Sequence, residues 1–499
     1  MSPPSSYERR WLILALIAIA QLMIVLDLTI VNIALPSAQK DLGFSNDERQ
    51  WVITAYALAF GSLLLPGGKL GDLFGRKWAF IVGLFGFAGA SAVGGAAGSF
   101  AVLVAARATQ GVFAALLAPS ALALLATTFG DSDERGKAFG IYGAVAGGGS
   151  AVGLLLGGIL TEWLTWRWCL YVNLLIAVPT AIAALRLIEN VAQPAPPRLD
   201  LAGTALATSG LFALVYGFSN SESHSWGDPV TVGALALAVV LLTAFVFVES
   251  RVKNPLLPLR VVVDRVRGGS FLALGISGIA LFAVFLFLTY YLQLTKGFSP
   301  IQTGLAYLPM TAAIVVSATL ANSTFLAKVG PRPLLVLGMT LGALAMVWFA
   351  QLETTSSYAG HVLPGLVVLG IGMGNIFAPG ISSATYGVAP TDAGVASAMV
   401  NTMQQVGGSI GTALLSSIFA SAVTSFAKGK PPSPQVAADA AMHGYTVAFW
   451  VAAGVFAFGA VVVGALMRSI KVGADASPER AGETQPERSS PRADPAVRT

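Results

Sequence analysis

Fourteen separate apolar runs, each long enough to cross a bilayer, take up nearly the whole chain and leave no room for a water-soluble domain. They begin near Trp11, Trp51, Trp78, Ala101, Ala138, Trp168, Leu199, Val230, Gly268, Gln302, Pro333, Val362, Ala393 and Met442. A run of ~20 apolar residues spans the hydrocarbon core as a helix. In lipid every backbone polar group must be satisfied internally, which leaves helices or closed barrels. Runs of this length predict helices, so the fold class is an all-α membrane protein. Only 11% of residues are charged, against about a quarter in soluble domains. The 55 glycines suit helices that must approach closely with no hydrophobic effect between them. The first run lacks an A-x-A cleavage site and reads as a retained helix. The one cysteine, Cys169, excludes an internal disulfide.

Orientation follows from Lys and Arg in the short loops. With the N-terminus inside, sixteen of the 29 basic residues fall in the N-terminal tail and the loops after even-numbered runs. Six more lie in the C-terminal tail, six in the opposite loops, and Arg107 alone lies within a run. Both termini are therefore expected on the cytoplasmic side of a multi-pass cell-membrane protein. The net charge of +5 follows from this loop bias and gives no reason to expect nucleic-acid binding. The polar tail over 471–499 has the composition of a disordered segment.

The two ends of the chain resemble each other. Gly43-Phe44-Ser45 recurs as Gly297-Phe298-Ser299, and Leu28-Thr29 as Leu288-Thr289. Gly75-Arg76-Lys77 is matched by Gly330-Pro331-Arg332, and Ala118-Pro119-Ser120 by Ala378-Pro379-Gly380. Four matches in the same order argue for a duplicated six-helix unit of the parallel kind. Runs seven and eight have no counterpart. The expected layout is 6 + 2 + 6: a half over 1–190, an inserted pair with its Pro194-Ala195-Pro196-Pro197 linker over 191–250, a second half over 251–470, and the tail.

Asp27 is the only acid deep in a run and Arg107 the only base. A charge in hydrocarbon costs roughly 2.5–3.5 kcal/mol on insertion scales and is a functional hypothesis by default. Counted along their helices, both residues lie about 10–12 Å below the outer surface. The pair is either a structural staple between helices one and four, or a proton site whose carboxylate Arg107 holds anionic until protonation releases it. The counterpart of Asp27 in the second half is Phe287, so any proton handling belongs to the first half.

Between runs two and three lies Gly68-Lys69-Leu70-Gly71-Asp72-Leu73-Phe74-Gly75-Arg76-Lys77. Its glycines permit a tight turn and close helix approach, and Asp72 can accept from backbone N–H groups at a helix start. As a bare pattern it could be a topology anchor. The stretch also matches, at every fixed position, the signature loop G-x-L-x-D-x-x-G-R-K of the major facilitator superfamily, which it closely resembles. That resemblance implies a gating role for Gly68, Gly71, Asp72, Gly75, Arg76 and Lys77, the loop latching two halves that rock against each other.

Three further stretches resemble the fourteen-helix drug:proton antiporters of that superfamily. Leu26-Asp27-Leu28-Thr29-Ile30-Val31-Asn32-Ile33-Ala34-Leu35-Pro36 is similar to their helix-one motif with its acid in place. Arg107-Ala108-Thr109-Gln110-Gly111 resembles R-x-x-Q-G, whose arginine the family links to proton transfer. Trp166-Arg167-Trp168 followed by Asn173 is similar to the outer turn into helix six. Gly149, Gly153, Gly157 and Gly158 resemble the antiporter motif G-x-x-x-G-P-x-x-G-G, with Leu154 where the family has proline. We read this glycine face as packing helix five on the second half. The resemblance spans residues 8 to about 470.

The remaining polar residues are amides and aromatics. Asn32, Gln110, Gln293, Gln404 and Gln405 are either interhelical glue or neutral hydrogen-bonders to substrate, and Tyr290 belongs with them on an aromatic wall suited to flat, lipophilic or cationic ligands. His224, His361 and His443 are too far apart in sequence for a metal site. No G-x-x-x-x-G-K-[ST] loop occurs, so the expected energy source is the proton gradient, with no cofactor. The reading is a monomeric major facilitator transporter that exports lipophilic or cationic small molecules in exchange for protons. Its rivals are a proton symporter for uptake, which shares the fold, and a membrane enzyme or receptor, which would need clustered catalytic residues or an appended domain.

Overall fold

A computed structural model of the protein describes residues 6–129, 134–189 and 200–468. The Pro194–Pro197 linker, Arg198 and the tail over 471–499 lie outside the described residues. Among the described residues all regular structure is helical. Thirteen helices are long and apolar enough to cross a membrane, and a bent pair makes a fourteenth. In chain order they are α1 (Ser6–Leu42), α2 (Asn46–Phe74), α3 (Arg76–Gly95), α4 (Phe100–Thr128), α5 (Arg135–Trp163), α6 (Trp168–Leu187), α7 (Leu201–Ser223) and α8 (Pro229–Glu249). Then follow α9 (Arg265–Thr295), α10 (Ile301–Val329), α11 (Pro331–Phe349), α12 (Tyr358–Ala384), α13 (Pro390–Ala427) and α14 (Pro434–Leu466). Several run past the apolar stretch that announces them. Helix α1 continues through Pro36 to Leu42, and α14 starts early enough to take in His443, which is therefore helical and not in a connection.

The sequence matches between the two ends correspond to matched geometry. Gly43 and Gly297 both take left-handed φ, 70° and 71°. Each is followed by a serine that caps the next helix in a reciprocal box, Ser45 with Glu48 and Ser299 with Gln302. Such a box satisfies two orphan donors at once. Gly75 and Gly330, at φ 94° and 76°, turn the chain into α3 and α11. Only glycine enters this region without strain.

Packing repeats in the same way. Helix α1 packs on α4, α5 and α6, α2 on α4, and α3 on α4 and α6. Eight helices later, α9 packs on α12, α13 and α14, α10 on α12, and α11 on α12 and α14. Helices α2 and α4 meet α13, and α5 meets α10 and α12. Helices α7 and α8 pair with each other, and α7 leans on α2 and α13. Val232, Leu237, Val239, Val240 and Phe247 of α8 point outward, as apolar side chains facing lipid do.

Helix α5 bends by 46° between Gly149 and Val152. The family proline is absent at Leu154, yet the bend is present. It lies on the N-terminal side of Leu154, next to Gly149.

Candidate functional site

Five of the first six helices converge on Asp27. It points into the bundle from α1 and is fully buried. Arg107 Nη1, from α4, donates to Asp27 Oδ2 at 2.6 Å. Gln110 Nε2, one turn further along α4, donates to Oδ1 at 3.1 Å, and Asn173 Nδ2 from α6 donates to the same oxygen at 2.8 Å. The carboxylate thus has three donors, one charged and two neutral. Arg107 is itself braced: Nη1 also donates to Gln110 Oε1 at 2.9 Å, Nε donates to the Val52 carbonyl of α2 at 3.3 Å, and its guanidinium lies 4.5 Å from the centre of the Tyr56 ring. From α3, Ser91 Oγ accepts from Gln110 Nε2 at 2.7 Å. The carboxylate and the guanidinium are both partnered, as buried charges need to be, while Asn173 Oδ1 and Tyr56 Oη find no hydrogen-bond partner among the described residues.

The depth-matched pair therefore meets in space, as one buried ion pair. Gln110, grouped in the sequence with cavity amides, is fully buried on Asp27. Asn173 carries a signal only through the outer-turn motif before it. Ser91 and Tyr56 carry none, since a serine among small residues and a tyrosine in an apolar run look like packing. In the second half Phe287 sits in a π-helical turn and stacks on Phe419 with ring centres 5.0 Å apart.

The signature loop forms a second site. Asp72 is fully buried, and its carboxylate accepts the backbone N–H of Gly394 at 3.0 and 3.2 Å. Gly394 lies in the first turn of α13, where unpaired amides and the helix dipole favour an anion. Arg76 donates to Asp72 Oδ1 through Nε at 3.1 Å and Nη2 at 2.9 Å, and also to the Pro390 carbonyl. Beneath this, α2 and α13 touch backbone to backbone. A Cβ on Gly68 would lie 2.5 Å from the Gly394 carbonyl oxygen and 2.7 Å from Ala398 Cβ. Gly71 leaves room for Ser120 Oγ, and Lys77 Nζ donates to the Leu185 carbonyl at 2.9 Å. At the same end of the bundle Arg135 donates to the Ser382 carbonyl at 3.1 Å and to Thr385 Oγ1 at 3.2 Å, and Asn322 donates to the Gly136 carbonyl at 2.8 Å. Arg135 is one of the sixteen basic residues on the inner side, and its charge alone gives no sign of these contacts.

The glycines of α5 divide their work otherwise than expected. Gly149, Gly153 and Gly157 face α1, not the second half. Cβ atoms on them would press on Leu22 and Val25, on Thr29 and Leu26, and on Ile30. Contact with the second half is made by Gly136, Gly140, Gly143 and Gly147, against α10 and α12, while Gly158 meets Ile301. A spacing of four puts glycines on one helix face but does not say which neighbour that face meets.

The remaining amides are scattered. Asn32 is exposed and donates to the Leu28 carbonyl at 3.3 Å. Tyr290 is exposed, and Gln293 and Gln404 are half-buried. Gln405 packs its stem against Gly61 of α2. A groove of about 450 Å³ lies far from Asp27, between α13, α14 and the tip of the α7–α8 hairpin, where Trp226 donates to Ser417 at 2.7 Å.

A charge cluster sealed inside membrane-crossing helices, beside a seam closed by backbone and polar atoms, defines a membrane transporter. The chain belongs to the Major Facilitator Superfamily, whose model matches residues 17–412. It is 50% identical over 469 residues to the puromycin resistance protein pur8 of Streptomyces alboniger, covering 94% of this chain and 93% of that one. It is 39% identical to the cephamycin export protein CmcT of Amycolatopsis lactamdurans, over 81% of this chain and 83% of that one. It is 35% identical to the tetracenomycin C resistance and export protein of Streptomyces glaucescens, over 83% and 77%. Among solved structures it shares the fold of the human organic anion transporter MFSD10 (TETRAN), with a TM-score of 0.62, 15% identity, and 92% and 100% coverage. The protein is an integral membrane transporter and not an enzyme.

Proposed function

We propose that the protein exports lipophilic antibiotics or similar small molecules in exchange for protons, by alternating access. The observation that carries this reading is the Asp27 cluster: one buried carboxylate, one arginine and two neutral donors, on three helices of the first half. The names of the relatives support the substrate class, being resistance or export proteins for chemically unrelated antibiotics. The halves over 1–190 and 251–470 rock as units, with α7 and α8 peripheral. The loop end faces the cytosol, as the basic loops require, and both termini lie there, in the cytoplasmic membrane.

The cycle follows from the two sites. With the loop end open, Asp27 is anionic and paired with Arg107, and an apolar or cationic substrate binds between the halves. With the loop end closed, as Asp72 and Gly394 hold it here, a proton from outside neutralises Asp27, frees Arg107 and lets substrate leave. Each proton moving inward supplies about 2.3 kcal/mol per 100 mV, and no cofactor is needed. The monomer is the working unit. Efflux of a fluorescent lipophilic substrate, followed in inside-out vesicles with an imposed pH gradient, tests this directly. Accumulation driven by an acidic interior is expected, and accumulation that ignores the gradient would reject proton exchange. A symporter would show the opposite dependence on gradient direction.

A further inference from the structure

Away from Asp27, two more acids are buried where the α7–α8 hairpin joins the bundle. Asp200 caps α7, its Oδ1 accepting from the Gly203 amide at 2.9 Å. The residue is 8% exposed, and among the described residues no donor reaches its Oδ2. Glu249 ends α8 at 4% exposure. Its Oε1 and Oε2 accept the Leu256 and Leu257 amides at 3.2 and 3.0 Å. The two carboxyls meet over Gly203, where a Cβ would press on Glu249 Oε1 and lie 2.5 Å from Asp200 Oδ2. Glu249 Oε1 and Asp200 Oδ2 thus face each other across one point above Gly203.

Two carboxylates cannot hydrogen-bond each other without a proton, since the ionised group only accepts. Among the described residues the cations of every packed element are engaged elsewhere or exposed. Lys69 of α2 donates to the Pro255 carbonyl at 3.3 Å, and Arg251 lies over the Phe247 ring, 3.8 Å from its centre. Lys253 is exposed, and Arg260 pairs with Asp392 at the start of α13 at 2.6 Å. Asp72 of α2 is spent on Arg76 and Gly394. Facing like charges with no cation between them do not both ionise.

We propose that Asp200 and Glu249 bind one proton between them, forming a second proton site, separate from Asp27, that pins the segment after α8 against the latch. With one O–H donated across the pair, both Glu249 oxygens stay free to hold the Leu256 and Leu257 amides. Those two leucines pack with Leu65 of α2 and with Val395 and Ala398 of α13, beside the Gly68–Gly394 contact. The proton thus ties the inserted hairpin to the gate, and Asp200 and Glu249 act as positioning residues.

The test is thermal unfolding of the full-length protein in nanodiscs from about pH 5 to about pH 9, for wild type, Glu249→Gln and Asp200→Asn. An amide carries its own N–H and replaces the shared proton at every pH. A proton bound only by the folded pair stabilises at low pH, and that stability is lost as pH rises. The Tm gap between Asp200→Asn and wild type should therefore be small at low pH and open as pH rises, with the variant the more stable, whereas Glu249→Gln gives up one of the two oxygens that hold the Leu256 and Leu257 amides and should be less stable than wild type, with a flatter dependence on pH. In a background carrying both Asp27→Asn and Arg107→Gln, infrared difference spectra should show a protonated carboxyl at neutral pH that Glu249→Gln removes. Parallel Tm curves, or no such band, would overturn the proposal. So would stabilisation of wild type by added sodium or potassium that both variants lose, or loss of the effect in Arg198→Gln, because either would put a cation where we place the proton.

Discussion

Asp72 and Gly394, 322 residues apart, are joined by a carboxylate that accepts one backbone amide through both oxygens, at 3.0 and 3.2 Å. The bond sits between the second helix of one half and the first turn of α13 in the other. Of the side-chain bonds that link the halves, those of Arg76, Arg135 and Asn322 lie at the same end, and the Thr311 hydroxyl on the Gly148 carbonyl, a long 3.5 Å, lies midway. At that end the seam carries polar side chains and backbone groups that water can take over as it opens, alongside apolar contacts such as Leu65 with Val395 and Ala144 with Ala378.

The first prediction concerns the backbone contact under that bond. Gly394→Ala would set a Cβ 2.6 Å from Asp72 Oδ2 and against the Gly68 carbonyl. The carbonyl is backbone and the carboxylate is pinned by Arg76 and the Gly394 amide, so the strain is on the order of 1–3 kcal/mol. It falls only on the state closed at the loop end. Turnover should drop by about tenfold per 1.4 kcal/mol, and a cysteine placed on that seam should label faster from the cytosolic side. Unchanged labelling would show that the contact does not set the closed state.

The second concerns Asp72 itself. Asp72→Asn keeps the shape but loses the charge that strengthens the bonds to Gly394 and Arg76, and such bonds are worth about 1.5–3 kcal/mol. Turnover should slow while equilibrium substrate binding changes little, because the residue is buried at the gate. Binding weakened about tenfold or more would place Asp72 in the substrate path.

Depth was legible in the sequence and azimuth was not. Hydropathy is a one-dimensional signal, so it placed the starts of the spans and put Asp27 and Arg107 at one level. It said nothing of rotation about each helix axis. Gln110 therefore read as a cavity amide although it lies three residues, nearly one turn, beyond Arg107 on the Asp27 face. The Asp72 motif announced an acid ready for helix amides, but its partner lies at the start of a helix in the other half, which no local pattern encodes. The glycines of α5 announced a smooth face without naming α1 as the helix it meets. The Ser45 and Ser299 capping boxes are set by neighbours in sequence, yet in the sequence the two stretches read only as a repeat and not as helix caps.

The third prediction separates those glycines. Gly153→Leu would drive a side chain into Thr29 and the Leu26 backbone, one turn from Asp27. Gly158→Ala would only approach Ile301 Cγ1, at 3.3 Å, a contact that a small side-chain shift relieves. Drug efflux should be abolished by the first change and fall less than about twofold with the second, since surface-like adjustments stay within ~0.5 kcal/mol. Equal losses from both would return the antiporter glycines to the interface between halves.

The fourth decides between a staple and a proton carrier. Asp27→Asn alone leaves Arg107 buried without its counter-ion, and breaking a buried pair this way costs about 3–5 kcal/mol. Its abundance in the membrane should fall along with its transport, so the single mutant cannot distinguish packing from chemistry. The double change Asp27→Asn with Arg107→Gln removes both charges and leaves amides that can bond Gln110 and Asn173. Membrane levels should therefore recover. If the pair only staples α1 to α4, efflux recovers too. If Asp27 carries the proton, no group at its position can be protonated and released, and gradient-driven efflux stays absent at normal abundance. Arg107→Lys keeps a charge but loses the planar fork that bridges Asp27 and Gln110, so partial activity is expected there. Quantifying protein by immunoblot beside efflux in the same vesicles reads both at once. Normal abundance with restored gradient-driven efflux in the double mutant would reduce the Asp27 cluster to a staple.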